Sequence, residues 1–385
     1  MKTVSSIEDQ TVFDTVLDPM SASAPPDPDM KKLVAHYHAL IHSRGIRHPI
    51  PYQFDRELGK GRQGIVFLAT RQGGRGCHTR HAVKLHDPAI YSTVEKYWTD
   101  MGRLANQVSK LQPIHSDNLV TRETYDETSG IGFLQMAVID GLDLQYLLSG
   151  THLAIARSQS TDEEWEHFMN TLFRMEEARF MLQPGVALYI LRKVLLGLMV
   201  LHEAGYLHAD IKPSNIMIDR MGSVKLVDFG RAVEIGEKIS ILLGSPIYMA
   251  PETHRLEAGQ AQTDLFSTGM VGLEMLGGYS LESCINMTDD QLLAFKMTLV
   301  DRVETMLPAH IRRSKRLVKL LTRFLHHTPM HRYSSAKEAE ESYYRLRGIY
   351  REMGLDADAE YDRELLMYLE KITDPQTGHL NPRLE

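Results

Sequence analysis

Three side chains that could share one piece of chemistry sit within six positions in "LHADIKPSN", residues 207–215: Asp210, Lys212 and Asn215. A carboxylate, an ammonium and an amide this close suit a reaction in which a hydroxyl is oriented, a moving negative charge is steadied and a metal ion is held. Eighteen residues after Asp210 comes Asp228 in "LVDFG", a second hard-oxygen donor. An Asp-Phe-Gly tripeptide alone is usually a plain turn. Its order and distance from the first cluster make it informative.

Upstream, "LGKGRQGIV" spaces Gly59, Gly61 and Gly64 as GxGxxG. A dinucleotide-binding turn has the same spacing but opens a helix. Here Ile65, Val66 and Phe67 continue as a strand, so the loop joins two strands and its amides can face phosphate groups. An ordinary Gly-rich hairpin fits the same spacing. In "HAVKL", Lys84 lies in an alternating apolar strand, where an ammonium needs an anion such as a nucleotide phosphate. A lysine snorkelling from an edge strand fits that stretch equally well.

These residues need a frame. Residues 1 to about 30 end in "SASAPPDPD" and read as a disordered or weakly ordered tail. "MKKLVAHYHALIHSRG" spaces Leu33, Val34, Tyr37, Leu40 and Ile41 helically and stops at Gly45, giving a short helix and linker over 31–51. From Tyr52, "YQFDREL", "IVFLATRQ" and "RHAVKLH" form an antiparallel meander by period and turn chemistry. Residues 91–112 read as a helix and "GFLQMAVID" as a further strand. After Gly141 the pattern is mostly helical, apart from two short strands, "NIMID" and "SVKLVDF", joined by a turn around Arg220 to Gly222. Thr161 and Glu164 are spaced as a capping box ahead of an amphipathic helix, an extra element within about 151–184. The fold class is therefore α+β: an antiparallel sheet lobe with one helix over 52–140, a larger, mostly helical lobe over 141–346, and a C-terminal extension over 347–385. The final "DPQTGHLNPRLE" is polar and expected to fray.

Taken in order, the motifs resemble those of the eukaryotic-type (Hanks-type) serine/threonine protein kinases, here of the bacterial kind, from about Tyr52 to Leu346. The resemblance implies a bilobal protein-kinase fold and transfer of the γ-phosphoryl group of ATP, with Mg²⁺, to Ser or Thr of protein substrates. On matching positions it implies that Gly59, Gly61 and Gly64 cover the ATP phosphates, Val66 and Ala82 line the adenine, and Lys84 holds the α- and β-phosphates. "MAVIDGLDLQYLL" resembles the hinge, with Met136 at the gatekeeper place, backbone near Val138 meeting adenine, and Asp143 touching the ribose. Asp210 matches the catalytic base, Lys212 the residue that steadies the γ-phosphate, and Asn215 and Asp228 the metal ligands. "GSPIYMAPE" resembles the end of an activation segment, with Glu252 expected to pair with Arg332 of "TPMHRY". Asp264 in "DLFSTG" resembles a helix-borne aspartate that bonds the catalytic-loop backbone. Pro213 after Lys212, together with Ser245, resembles the Ser/Thr-directed class.

Two departures stand out. Where the family usually has Arg beside the catalytic Asp, to meet a phosphorylated residue, this chain has Ala209. Activity independent of such a phosphate is the expectation, with Ser240 a candidate modification site. The glutamate expected to partner Lys84 falls on Gln107, with Glu95 as the alternative. Because Gln107 is uncharged, a nucleotide-binding, pseudokinase-like scaffold acting through partner contacts is the alternative function. A small-molecule kinase is a third, weakened by the peptide-docking look of "GSPIYMAPE".

Composition narrows the partners. Lys plus Arg number 43 against 50 Asp plus Glu, a net charge of -7 without long like-charge blocks, so no nucleic-acid or anionic-membrane surface is expected. Two cysteines, Cys77 and Cys284, point to no disulfide framework and to the cytoplasm. "GVALYILRKVLLGLMVLHEAG" could span a bilayer by length, but Arg192 and Lys193 near its centre would each cost roughly 2.5–3.5 kcal/mol there. A buried helix, and no membrane span, is the expectation. The N-terminus has acids and no apolar core, so it does not read as a secretory signal. His326 and His327 lack a spaced third ligand for a metal, and the methionines read as core filler.

Overall fold

The computed structural model describes residues 28–176, 179–239, 246–278, 281–284, 286–341, 348–349, 351–355, 360–374 and 380. The chain divides into two compact units, one running to Ser109 and taking in Thr124–Gln135, the other comprising Lys110–Glu123 and the chain from Met136. Most of the expected tail lies outside the described residues. Its last three positions open helix α1 (Pro28–Ser43), which has proline where a missing amide costs nothing. This helix buries Met30, Leu33 and Tyr37 and ends at Arg44, whose φ is 51°.

In the first unit, β1 (Gly45–Ile46), β2 (Tyr52–Gly61), β3 (Gly64–Gln72), β4 (His78–His86), β5 (Arg122–Thr128) and β6 (Ile131–Met136) form a six-stranded sheet in the order β1-β2-β3-β4-β6-β5. The meander β2-β3-β4 is antiparallel, as its alternation implies. On β2, Tyr52 and Phe54 are buried between exposed Gln53 and Asp55, and Phe54 stacks on Phe67 with ring centroids 4.5 Å apart. Strand β6 is buried along its whole length. Strand β5, "RETYDET", gives no apolar alternation because it is the sheet's edge and can stay polar. Helix α2 (Val94–Leu111) buries Tyr97, Met101, Leu104 and Val108, one face at helical spacing.

The second unit continues with β7 (Gly141–Asp143), α3 (Leu144–Ser149), α4 (Leu153–Ser158) and α5 (Asp162–Thr171). Thr161 and Glu164 make the reciprocal capping box. The helix they open ends at Thr171, however, and "FRMEEARFM" is not its continuation. Strands β8 (Phe173–Glu176) and β9 (Arg179–Leu182) pair antiparallel there. Phe173 and Leu182, both fully buried, face each other in that register, so cross-strand pairing that buries Phe173, Met181 and Leu182 prevails over helical amphipathicity. The C-terminal region, set apart in sequence, supplies helix Tyr361–Lys371 to this same unit. Its Tyr368 packs against Phe168 and Phe173 and bonds buried His152, while Lys371 and Glu364 pair with Glu164 and His167 of α5. The polar end expected to fray lies mostly outside the described residues.

The core is built on α6 (Pro184–Glu203) and α7 (Ala261–Gly277). Helix α6 is long and apolar enough to cross a membrane, but 67% of its most apolar stretch is buried inside the protein. Arg192 on it reaches Glu340, and Lys193 lies over the Tyr189 ring. Two small ladders then fix the ends of both chemistry-bearing loops. Strand β10 (Tyr206–Leu207) stops just before His208 and pairs with β13 (Val233–Glu234). Strand β11 (Ile216–Asp219) starts just after Asn215 and pairs with β7 and with β12 (Val224–Leu226), which ends two residues before Asp228.

Candidate functional site

Within the sheet unit, β2 and β3 close a hairpin in which Gly61 faces Gly64 across Arg62 and Gln63. The three glycines have different reasons to be there. Gly64 has φ 139°, and a Cβ on it would lie 1.9 Å from the Leu85 carbonyl oxygen, so the fold itself demands glycine. A Cβ on Gly59 or Gly61 would meet nothing within 4 Å. Nothing among the described residues crowds those two, which fits a backbone kept bare for a close phosphate. Accordingly, Gly64→Ala should destabilise the chain by about 1–3 kcal/mol. Gly61→Ala should leave thermal unfolding within about 0.5 kcal/mol of the unaltered protein while weakening the shift produced by ATP with Mg²⁺. Equal destabilisation by both substitutions would refute the distinction.

Lys84 stands on β4 opposite Val66, and Ala82 lies two residues back, so all three side chains leave one face of the sheet. Lys84 is 6% exposed and donates to Gln63 Oε1 at 3.2 Å, a neutral acceptor from the tip of the glycine hairpin. Helix α2 buries Gln107, 5% exposed, and leaves Glu95 in solvent at its first turn. Val138 is half-buried just beyond β6. Asp143 caps α3, its Oδ1 accepting from the Tyr146 amide at 2.7 Å. Met136, expected at the gatekeeper place, is buried at the end of β6.

In the helical unit, residues 208–215 form a clamped loop. The Asp264 carboxylate on α7 accepts from the His208 amide at 2.8 Å, the Ala209 amide at 2.9 Å and His202 Nε2 at 2.9 Å. Burial alone would push the Asp264 carboxyl up, but the bonds from His202 and His208 outweigh it and leave it below the usual range. The clamp holds Ala209 at φ 61°, a conformation that costs a non-glycine residue energy and persists only where its surroundings impose it. Burial pushes the His208 ring below its ordinary value, against the pull of Asp264 and Asp210. Its Nε2 donates to the Val227 carbonyl and its Nδ1 accepts from the Asp210 amide.

The chemistry-bearing residues meet at Asp210, which is 9% exposed. Lys212 Nζ lies 2.8 Å and Asn215 Nδ2 2.9 Å from its Oδ2. Asn215 Nδ2 also donates to the Asp210 carbonyl, which directs the Asn215 side-chain oxygen away as an acceptor. Asp228, at φ 57°, turns the chain into a short 3-10 segment and accepts from the Gly230 amide. An amide oxygen and a carboxylate make a hard donor set that fits Mg²⁺. Close by, Arg122 lies over the Phe229 ring at 4.3 Å, and burial lowers its guanidinium to about 10 against the opposing pull of Asp228. Arg231 Nη1 lies 3.4 Å from Asp210 Oδ1. Sequence reasoning missed Arg231, although its place directly after Asp-Phe-Gly was a usable signal.

Downstream, Pro246 to Glu252 is tied to the helical core. Tyr248 bonds Glu274, and the buried Lys296 bonds the Pro246 carbonyl and His254. Burial lowers the Lys296 ammonium to about 7. Glu252 and Arg332 form the expected pair through both carboxylate oxygens, at 2.6 and 2.8 Å. Ser240, Gly244 and Ser245 lie outside the described residues.

Compared with known proteins, residues 52–344 match the protein kinase domain family. Serine/threonine-protein kinase SKM1 of Saccharomyces cerevisiae is 28% identical over 239 residues, 60% of this chain and 34% of that protein. Serine/threonine-protein kinase D3 of Mus musculus is 28% identical over 230 residues, covering 58% and 22% of the two chains. Serine/threonine-protein kinase PknL of Mycobacterium tuberculosis is 40% identical over 101 residues, 25% of each. The chain thus spans about a third or less of these relatives, which are eukaryotic and bacterial alike.

Proposed function

We propose, since this chain belongs to the protein kinase domain family, that it transfers the γ-phosphoryl group of ATP to Ser or Thr hydroxyls of a protein substrate. One observation carries the reading: a buried aspartate, Asp210, whose carboxylate meets a lysine and an asparagine in a loop clamped by Asp264. Asp210 would orient the acceptor hydroxyl, and Lys212 would follow the phosphoryl group as charge spreads over its oxygens. Asn215 and Asp228 would hold Mg²⁺, which when bound neutralises phosphate charge. Gly59, Gly61, Gly64 and Lys84 would carry the phosphates, Val66 and Ala82 the adenine, backbone near Val138 its edge, and Asp143 the ribose. The Ser/Thr assignment is supported by the relatives, each named a serine/threonine kinase. The free thiols Cys77 and Cys284 support a reducing compartment, the cytoplasm.

Incubation of the purified chain with γ-labelled ATP, Mg²⁺ and a general protein substrate tests this. Label recovered as phosphoserine or phosphothreonine is the expected result. A thermal shift with ATP and Mg²⁺ but no label transferred would overturn it in favour of a nucleotide-binding scaffold.

A further inference from the structure

The Asp210 carboxylate is not shared equally among its neighbours. Its Oδ2 meets Lys212 and Asn215, both from its own loop. Its Oδ1 meets Arg231, 21 positions on, which belongs to the 3-10 turn Phe229–Arg231. That turn is entered through Asp228 in the left-handed region. Arg231 is buried, with its side chain only 4% exposed. A guanidinium does not shed its charge when buried, so it needs an anion, and breaking a buried pair leaves an uncompensated charge.

The geometry points to Arg231 as a positioning residue: it holds the Asp210 carboxylate by Oδ1 and locks the turn bearing Asp228 to the loop bearing Asp210 and Asn215. This rests on the phosphotransfer reading above. The residue next to Asp210 in the chain is Ala209, which has no charge to lend, so the second cation on the carboxylate arrives from the turn after Asp228. The 3.4 Å contact is long for a hydrogen bond, and its value lies in charge and placement. If the turn rotates about Asp228, Arg231 leaves Asp210, and the orientation of Asp210 and the place of Asp228 change together. Such misplacement by about 1 Å is enough to cost roughly 100-fold in rate.

The test combines kinetics with a stability cycle. Arg231→Met should lower kcat for phosphate transfer by about 10- to 100-fold. Its KM for ATP should stay within about twofold, because the pair acts on the reacting geometry and not on ground-state binding. Arg231→Lys, which keeps a cation, should recover most of the rate. Arg231→Gln replaces the Met variant if the latter does not fold. In thermal unfolding, Arg231→Met combined with Asp210→Ala should be less destabilising than the two single effects added, because each removes the same pair. Full kcat in Arg231→Met, failure of Arg231→Lys to recover rate, or additive unfolding effects would overturn the positioning role alone. Absence of transfer by the unaltered chain would overturn the phosphotransfer reading and this role with it.

Discussion

Asp210→Asn is expected to lower phosphate incorporation by about 10²–10⁴-fold while leaving the thermal shift with ATP and Mg²⁺ in place. The substitution keeps shape and removes charge. Three donors converge on this carboxylate: Lys212 and Asn215 at Oδ2, and Arg231 at Oδ1. An amide cannot accept from all of them, because one of its ends is itself a donor. It must either turn its NH₂ toward a cation or leave the loop's preferred geometry, and in neither arrangement can it take or orient a hydroxyl proton as a carboxylate does. Initial rates with γ-labelled ATP, measured beside the thermal shift, separate loss of chemistry from loss of binding. Undiminished incorporation in the variant would remove Asp210 from the reaction.

The second large effect concerns stability. Glu252→Ala should destabilise the chain by about 3–5 kcal/mol, enough to erase much of the folding free energy of a typical domain. Arg332 has a fully buried side chain. Beyond its two bonds to Glu252, it donates to the carbonyls of Gln262, His326 and His327, and Thr263 donates to Glu252. Removing the carboxylate leaves a guanidinium buried away from water without its carboxylate partner. Arg332→Met removes the charge instead and leaves Glu252 buried with Thr263. The double substitution Glu252→Leu with Arg332→Met should recover part of the loss, since no lone charge is then buried. Urea unfolding of the four proteins measures this. A change below about 0.5 kcal/mol in Glu252→Ala, the range of an ordinary surface substitution, would show that the pair does not hold the segment.

Much of the frame could be read from residue order. The strands around the glycine hairpin were legible because strand alternation and Gly-rich turns are local properties, set by neighbours in the chain. The Thr161–Glu164 cap was legible for the same reason, since its two partners lie three residues apart. Legibility failed where local pattern and final environment disagree. Strand β5 carries charged and polar side chains because it lies at an edge. Phe173–Glu176 and Arg179–Leu182 have the composition of a helix end, yet they pair as antiparallel strands that bury Phe173, Met181 and Leu182.

The sequence by itself determined which groups could take part in the chemistry: an aspartate, a lysine, an asparagine and a second aspartate at fixed intervals, with a glycine-rich turn and a strand lysine upstream. It also determined the partners whose resemblance named them, Asp264 on the loop amides and Glu252 on Arg332. Only the tertiary structure decided which cation reaches Asp210 Oδ1, that Gly64 is required by the Leu85 carbonyl while Gly59 and Gly61 are not, and that the C-terminal helix closes over the 151–182 region. The physical reason is that charge, size and period are carried by single residues and near neighbours. Burial, which makes an ion pair obligatory or a glycine irreplaceable, exists only once distant segments have excluded water together.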